Sequence, residues 1–334
     1  MSSNSKINIG LIGLGSWAKK SYVPALIEME DFVSVKAVAA RSKKTRDFAK
    51  NIFKENILIF EDYKSLIKNS QIDAVMIGLP KEITPYATKT ALDKNLNIFV
   101  EPPFGSQHLS DEILKIASSY TKVFHVDIEL RYLPIITKCL DLINSGILGK
   151  ILKTSVTLEC DWFQHASGDV KKTNEFVKGL ATWYIDLIDL FSNHTPKRID
   201  VFGTSENKID QISFGNVLIE YSNNYIGEWN FNLNKTKVFN LKLNLLGSKG
   251  QLETNLLEGT YTFNHNENDS SYGTVKASSP TLGFVGMRES IKSFIEAIRN
   301  GKQSQSNGIS YNNIHILLSG ISKSIETNQS IKIN

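Results

Sequence analysis

At 334 residues the chain is longer than one ordinary hydrophobic core fills, so two domains are expected. Its 41% hydrophobic and 22% charged residues are globular proportions. The net charge of +4 is spread without a basic tract or aromatic–basic interleaving, which argues against nucleic acid as a partner. No apolar run reaches the ~18 residues of a membrane span. The polar opening MSSNSK does not read as a secretory leader, so the expected setting is cytoplasmic, away from the membrane. Cys139 and Cys160 lack metal-ligand spacing, which predicts buried thiols and no bound metal.

Taken in order, the chain begins with an apolar run at Ile7, Ile9, Leu11 and Ile12 that reads as a buried strand. The turn Gly13-Leu14-Gly15-Ser16-Trp17-Ala18 follows, with the pattern G-x-G-x-x-A, and then a helix carrying Tyr22, Val23, Leu26 and Ile27. In that context Gly13 permits the tight turn, Gly15 lets backbone N–H groups approach a pyrophosphate, and Ala18 allows close helix–strand packing. The helix N-terminus adds donors and positive dipole. Gly13, Gly15, Ser16, Trp17 and Ala18 are therefore candidate cofactor-binding residues. Strands are predicted next at Val33–Ala40, Ile57–Phe60, Asp73–Gly78, Asn97–Val100 and Val123–Val126. Helices over Thr45–Ile52, Tyr63–Asn69, Pro85–Lys94 and Leu109–Tyr120 alternate with them, the pattern of a parallel sheet covered on both faces.

After about Leu130 the grammar changes. A helix over Pro134–Asn144 ends in Ser145-Gly146. Alternating apolar and polar residues then predict antiparallel strands at Ile151–Cys160, Arg198–Gly203, Ile212–Ser222, Ile226–Leu233, Val238–Gly247 and Gln251–Thr254. One helical segment, Gly179–Phe191, interrupts them. Asn264–Ser279 is polar and reads as a mobile loop, and two amphipathic helices, one with Phe294 and one with Leu317, close the chain. The expected division is a dinucleotide-binding domain over 1–127 and a substrate and oligomerisation domain over 128–334, whose C-terminal helices are placed to pack back on the first.

The cofactor can be read from the end of the second strand. An acidic residue there accepts hydrogen bonds from a ribose 2′-OH, whereas an arginine accommodates a 2′-phosphate. Here Val38-Ala39-Ala40 runs into Arg41-Ser42-Lys43-Lys44 with no carboxylate. Arg41 can stack on adenine and fork onto phosphate oxygens, and Ser42 adds a donor. NADP(H) is preferred over NAD(H), which stays open. The competing reading is that the basic run is simply a solvated loop.

Several stretches together resemble the Gfo/Idh/MocA oxidoreductases, the relatives of glucose–fructose oxidoreductase and inositol dehydrogenase. They are IGLIGLGSWA, DAVMIGLP at Asp73–Pro80, NIFVEPPFG at Asn97–Gly105, ELRYLP at Glu129–Pro134, INSGILGKI at Ile143–Ile151 and LLGSKGQLE at Leu245–Glu253. The resemblance implies an α/β Rossmann domain joined to an α+β domain with a large, mostly antiparallel sheet, and a homo-oligomer, dimer or tetramer. It also places Leu79, Pro80, Glu101 and Pro102 at the cofactor. Family members read Glu-Lys-Pro where this chain has Glu101-Pro102-Pro103, so the lysine's proton-relay role has no titratable group here. The family's Asp…His…Asp helix aligns with Thr182, Asp186 and Asp189, and Thr84 stands where members often carry another histidine.

Asp186, Tyr184 and His165 are then the candidates for moving the proton. A buried Asp186 can act as an acid, and a tyrosine can protonate a developing alkoxide. An ordinary polar contact, core packing and a solvated loop position are the competing readings of the three. Arg131 could bind a substrate anion or hold a salt bridge, and Trp162, Phe163 and Trp183 could wall a substrate or simply pack. The expected activity is NADP(H)-dependent hydride transfer to or from a small carbonyl-type metabolite, a sugar or nucleotide-linked sugar. Two alternatives stand beside it: an inactive dinucleotide- or metabolite-binding homologue, and an imine or bilin reductase.

Overall fold

The computed structural model describes the chain except residues 1–4, 54–55, 69–70, 105–106, 163–169, 205–211, 235–238, 267–268, 276–284 and 334, and the side chains of 107, 170–173, 266 and 269. It divides into two units, Met1–Glu129 with Ser279–Asn312 and Leu130–Ser278 with Asn313–Asn334.

In the first unit, strands β1 (Ile7–Ile12), β2 (Val33–Ala39), β3 (Leu58–Phe60), β4 (Ala74–Ile77), β5 (Asn97–Val100) and β6 (Phe124–Val126) form one sheet in the order β3-β2-β1-β4-β5-β6. All of its pairings are parallel. This is the dinucleotide-binding order, with its switch point between β1 and β4. β4 and β5 are buried at every position, as strands covered on both faces must be. The connecting helices are α1 (Ser16–Lys20), α2 (Tyr22–Glu28), α3 (Lys43–Phe53), α4 (Tyr63–Ile67), α5 (Thr84–Asp93) and α6 (Gln107–Ala117). The core gathers Ile9, Leu11, Tyr22, Met76, Phe99, Ile291 and Phe294. The last two come from α9 (Met287–Asn300), which returns from far along the chain to pack on α2.

In the second unit, α7 (Pro134–Asn144) precedes a sheet in the order β14-β13-β12-β11-β7-β10-β9-β8-β15. Its members are β7 (Ile151–Glu159), β8 (Pro196–Thr204), β9 (Phe214–Tyr221), β10 (Ile226–Asn232), β11 (Asn240–Gly247), β12 (Gln251–Asn255), β13 (Thr260–Asn266), β14 (Asp269–Thr274) and β15 (Ile331–Lys332). The sheet is antiparallel except where β10 meets β7. One face is covered by the long helix α8 (Val170–Ser192), which packs on β7 and β10. Gly227 in β10 permits the approach, since a Cβ there would collide with Ile188 of α8. The helix α10 (Gly308–Thr327) begins in the first unit and ends in the second.

One expectation is corrected. Asn264–Ser279, read as a loop, instead contains the end of β13 and the whole of β14. DSSYGT carries no apolar alternation because β14 is an edge strand whose described side chains are largely exposed, held by pairing to β13. Its Gly273 lies against the Tyr261 ring.

Candidate functional site

The glycine turn follows β1 at the switch point. Gly13 has φ +84, a conformation that L side chains rarely adopt, and a Cβ there would collide with the Gly78 carbonyl oxygen at the end of β4. Gly15 meets the opposite condition: a Cβ would touch nothing within 4 Å, so the backbone is open to a close-lying group. It is the N-cap of α1 and receives no side-chain cap, and the first N–H groups of a helix have no partner within it. Ser16 is exposed and Ala18 is buried, 1% exposed, against the core. These features fit a pyrophosphate bound against backbone amides.

Arg41 and Ser42 are exposed beyond β2. Ser42 caps α3, accepting from the Thr45 N–H at 3.2 Å. Arg46 fixes the backbone there, donating to the Ala40 carbonyl at 3.1 Å and the Arg41 carbonyl at 2.6 Å while pairing with Glu61 at 2.7 Å. Leu79 and Pro80 follow β4, and their carbonyls accept the Thr84 hydroxyl at 2.9 and 3.2 Å. Thr84 is buried and spends its hydroxyl on that turn.

Glu101 follows β5, and the Pro102–Pro103 bond after it is cis. Its Oε2 accepts the Tyr22 hydroxyl at 2.5 Å and the Trp17 indole N–H at 3.1 Å, tying the end of β5 to the glycine turn. Burial pushes the Glu101 carboxyl up to about 7, with Tyr22, Trp17 and Asp127 pulling it down. Asp127, just past β6, is fully buried and raised well above the ordinary value, first by burial and then by the charges of Glu101 and Glu129. Asp127 accepts the Ser290 hydroxyl at 2.8 Å, and that hydroxyl lies 3.0 Å from His125 Nε2, whose ring stacks on Phe99.

In the second unit, Thr182, Asp186 and Asp189 lie along one face of α8. Asp186 is fully buried. Arg131 donates to both of its oxygens, from Nε at 3.0 Å and from the second guanidinium nitrogen. Burial raises the Asp186 carboxyl above its ordinary value and the guanidinium pulls it back. Asp189 is raised to about 6 by burial and by the Asp186 charge. The Thr182 hydroxyl is buried with no hydrogen-bond partner among the described residues. Tyr184 is 4% exposed and stacks on Trp229 with ring centroids 5.1 Å apart. Trp162 packs on Phe239. His165 and Phe163 lie outside the described residues.

The structure thus brings Gly13, Gly15, Ser16, Trp17, Ala18, Arg41, Ser42, Leu79, Pro80, Glu101 and Pro102 to the carboxyl edge of the parallel sheet, where such sheets hold ligands. Sequence reasoning missed Tyr22 and Asp127 as polar partners of Glu101. The signal for Asp127 was an acid set inside the apolar run FHVDIEL at a strand end.

Comparison with known proteins agrees with this geometry. Residues 7–128 match the Gfo/Idh/MocA family, described as "Oxidoreductase family, NAD-binding Rossmann fold". The similarity to that family covers the first domain, residues 7–128. "Oxidoreductase P35" of Formosa agariphila is 25% identical over 287 residues, 80% of this chain and 85% of that protein. The fold is shared with a levoglucosan dehydrogenase in complex with NADH and levoglucosan (TM-score 0.83, 17% identity, 98% of this chain and 100% of that one). It is shared too with an apo scyllo-inositol dehydrogenase from Lactobacillus casei (TM-score 0.81, 17% identity, 99% of each chain). Among the described residues no helix is long and apolar enough to cross a membrane, and no cluster of histidine, cysteine or acidic side chains could hold a metal ion.

Proposed function

We propose that the protein moves a hydride between NADP(H) and a small carbonyl-type metabolite, a sugar or nucleotide-linked sugar. The observation that carries this reading is the open glycine turn at the switch point together with an exposed arginine, in place of a carboxylate, after β2. The coenzyme supplies the hydride acceptor or donor. The chain's own part is to cradle the pyrophosphate at Gly13–Ala18, face the 2′-phosphate with Arg41 and Ser42, and line the ring end with Leu79, Pro80, Glu101 and Pro102. The sugar dehydrogenases that share the fold support the substrate class. The proposal extends to a homo-oligomer in the cytoplasm, which light scattering on purified protein and fractionation of cells check.

For the proton, Tyr184, Asp186 and His165 are the proposed candidates on the second unit. Asp186 can serve only after releasing Arg131, because both of its oxygens are engaged. Asp186→Asn and Tyr184→Phe separate the candidates by turnover. Titration of NADPH and NADH by fluorescence tests the coenzyme: NADPH binds more tightly, and Arg41→Ala removes about tenfold of that preference, ~1.4 kcal/mol. Absence of binding by either coenzyme overturns the reading. A second reading, a non-catalytic dinucleotide-binding homologue, draws on Pro102 and on the engaged Asp186. Binding without turnover across keto-sugars, imines and bilins would select it.

A further inference from the structure

A carboxylate oxygen can only accept hydrogen bonds. Glu101 and Asp127 set two carboxyl groups within hydrogen-bonding reach of each other, behind the carboxyl edge of the parallel sheet. The donors around them are unevenly placed. Tyr22 and Trp17 both reach Glu101 Oε2, and Ser290 reaches Asp127 Oδ1. Asp127 Oδ2 is buried and meets no donor among the described residues. If both groups were ionised, that oxygen would be left unsatisfied and two like charges would face each other in a buried place, each of which is costly. One proton on the pair supplies the missing donor and removes one of the charges.

We propose that Glu101 and Asp127 share one proton and serve as the proton store of the coenzyme site, in the place where Pro102 offers no titratable side chain. This rests on the dinucleotide reading above. The surroundings favour retention of the proton. Among the described residues the groups acting on the pair are Trp17 from α1, Tyr22 from α2, Ser290 from α9 and Glu129 beyond β6, with His125 of β6 behind Ser290. Glu129 adds negative charge. Glu101 at about 7 is poised near neutrality, while Asp127 lies well above its ordinary value.

The redox state of the coenzyme then controls the store. Oxidising an alcohol moves a hydride, two electrons with one proton, from the substrate carbon to the nicotinamide, and the hydroxyl proton must go elsewhere. A cationic oxidised ring would favour loss of a proton from the pair, whereas a neutral reduced ring would favour its retention. The pair therefore takes up the released proton as the ring loses its charge, and returns it in the direction of reduction.

Two measurements test the proposal, and neither needs turnover. Infrared difference spectra of the coenzyme-free protein, titrated between about pH 5 and pH 9, should show a protonated-carboxyl C=O band titrating near 7. Asp127→Asn and Glu101→Gln should each move or abolish that band. Its absence from the wild type, or its persistence unchanged in both variants, overturns the pair. Calorimetry at neutral pH in two buffers of different ionisation heat counts protons. NADP+ binding should release up to about one proton more than NADPH binding in the wild type and no more in Asp127→Asn. Equal proton counts for the two coenzymes overturn the coupling. Failure of both coenzymes to bind overturns the dinucleotide reading instead, while the infrared arm still reports on the pair.

Discussion

Asp127 in the first unit and Asp186 in the second are both fully buried acids, yet their surroundings have opposite character. Asp186 is matched by Arg131, which reaches both of its oxygens. Asp127 has Glu101 and Glu129 for neighbours and a serine as donor. Burying a carboxylate is costly wherever it happens, and the cost is met either by an opposite charge or by a proton. A guanidinium stays charged at any ordinary pH, so the Arg131–Asp186 arrangement is fixed. A shared proton comes and goes near neutrality, so the Glu101–Asp127 arrangement is adjustable. The contrast separates a helix face built for permanence from a strand-end site built to respond.

The largest effect that could break this contrast is loss of the cation. Arg131→Leu strands the Asp186 charge and should destabilise the protein by about 3–5 kcal/mol in urea unfolding. Arg131→Met with Asp186→Leu should recover most of that loss. Equal instability of the double variant would mean the pair is holding more than its own charge.

Next comes pH. Glu101 titrates at about 7 in the folded protein, against roughly 4.3 in an unfolded chain. Between those values the folded state binds more protons, so stability falls as pH rises through the window and levels off above it. The loss from Glu101 is at most ~4 kcal/mol. Urea midpoints measured across the window should fall more steeply in the wild type than in Glu101→Gln, and parallel slopes would deny the adjustable character of the site.

Gly13→Ala forces a side chain into a positive-φ position against the Gly78 carbonyl. It should cost about 1–3 kcal/mol of stability and weaken dinucleotide binding by at least ~10-fold, as read by fluorescence titration. Smallest is Thr84→Val, which removes the hydroxyl that secures the Leu79 and Pro80 carbonyls. Thermal unfolding should register about 1 kcal/mol.

Much of the first unit was legible because its signals are local. The run from Ile7 to Ile12 into Gly13 and Gly15 specifies strand, turn and helix within a few residues, and the lack of an acid after Ala40 bears on the coenzyme without reference to any distant contact. Asp186 could be singled out by its spacing from Thr182 and Asp189 on one helix. Its engagement by Arg131 could not, since the two lie 55 residues apart. β14 escaped because an edge strand is held by backbone pairing and needs no apolar code.

Local patterning by itself determined the parallel Rossmann sheet, the antiparallel character of the second sheet and the dinucleotide turn, since each follows from side-chain period and backbone permissiveness over a short stretch. Tertiary structure alone decided which acids meet a cation and which meet another acid. Tyr22, Glu101, Asp127 and Ser290 come from four separate parts of the chain, and the charge state of a buried carboxyl is set by whatever the fold places beside it.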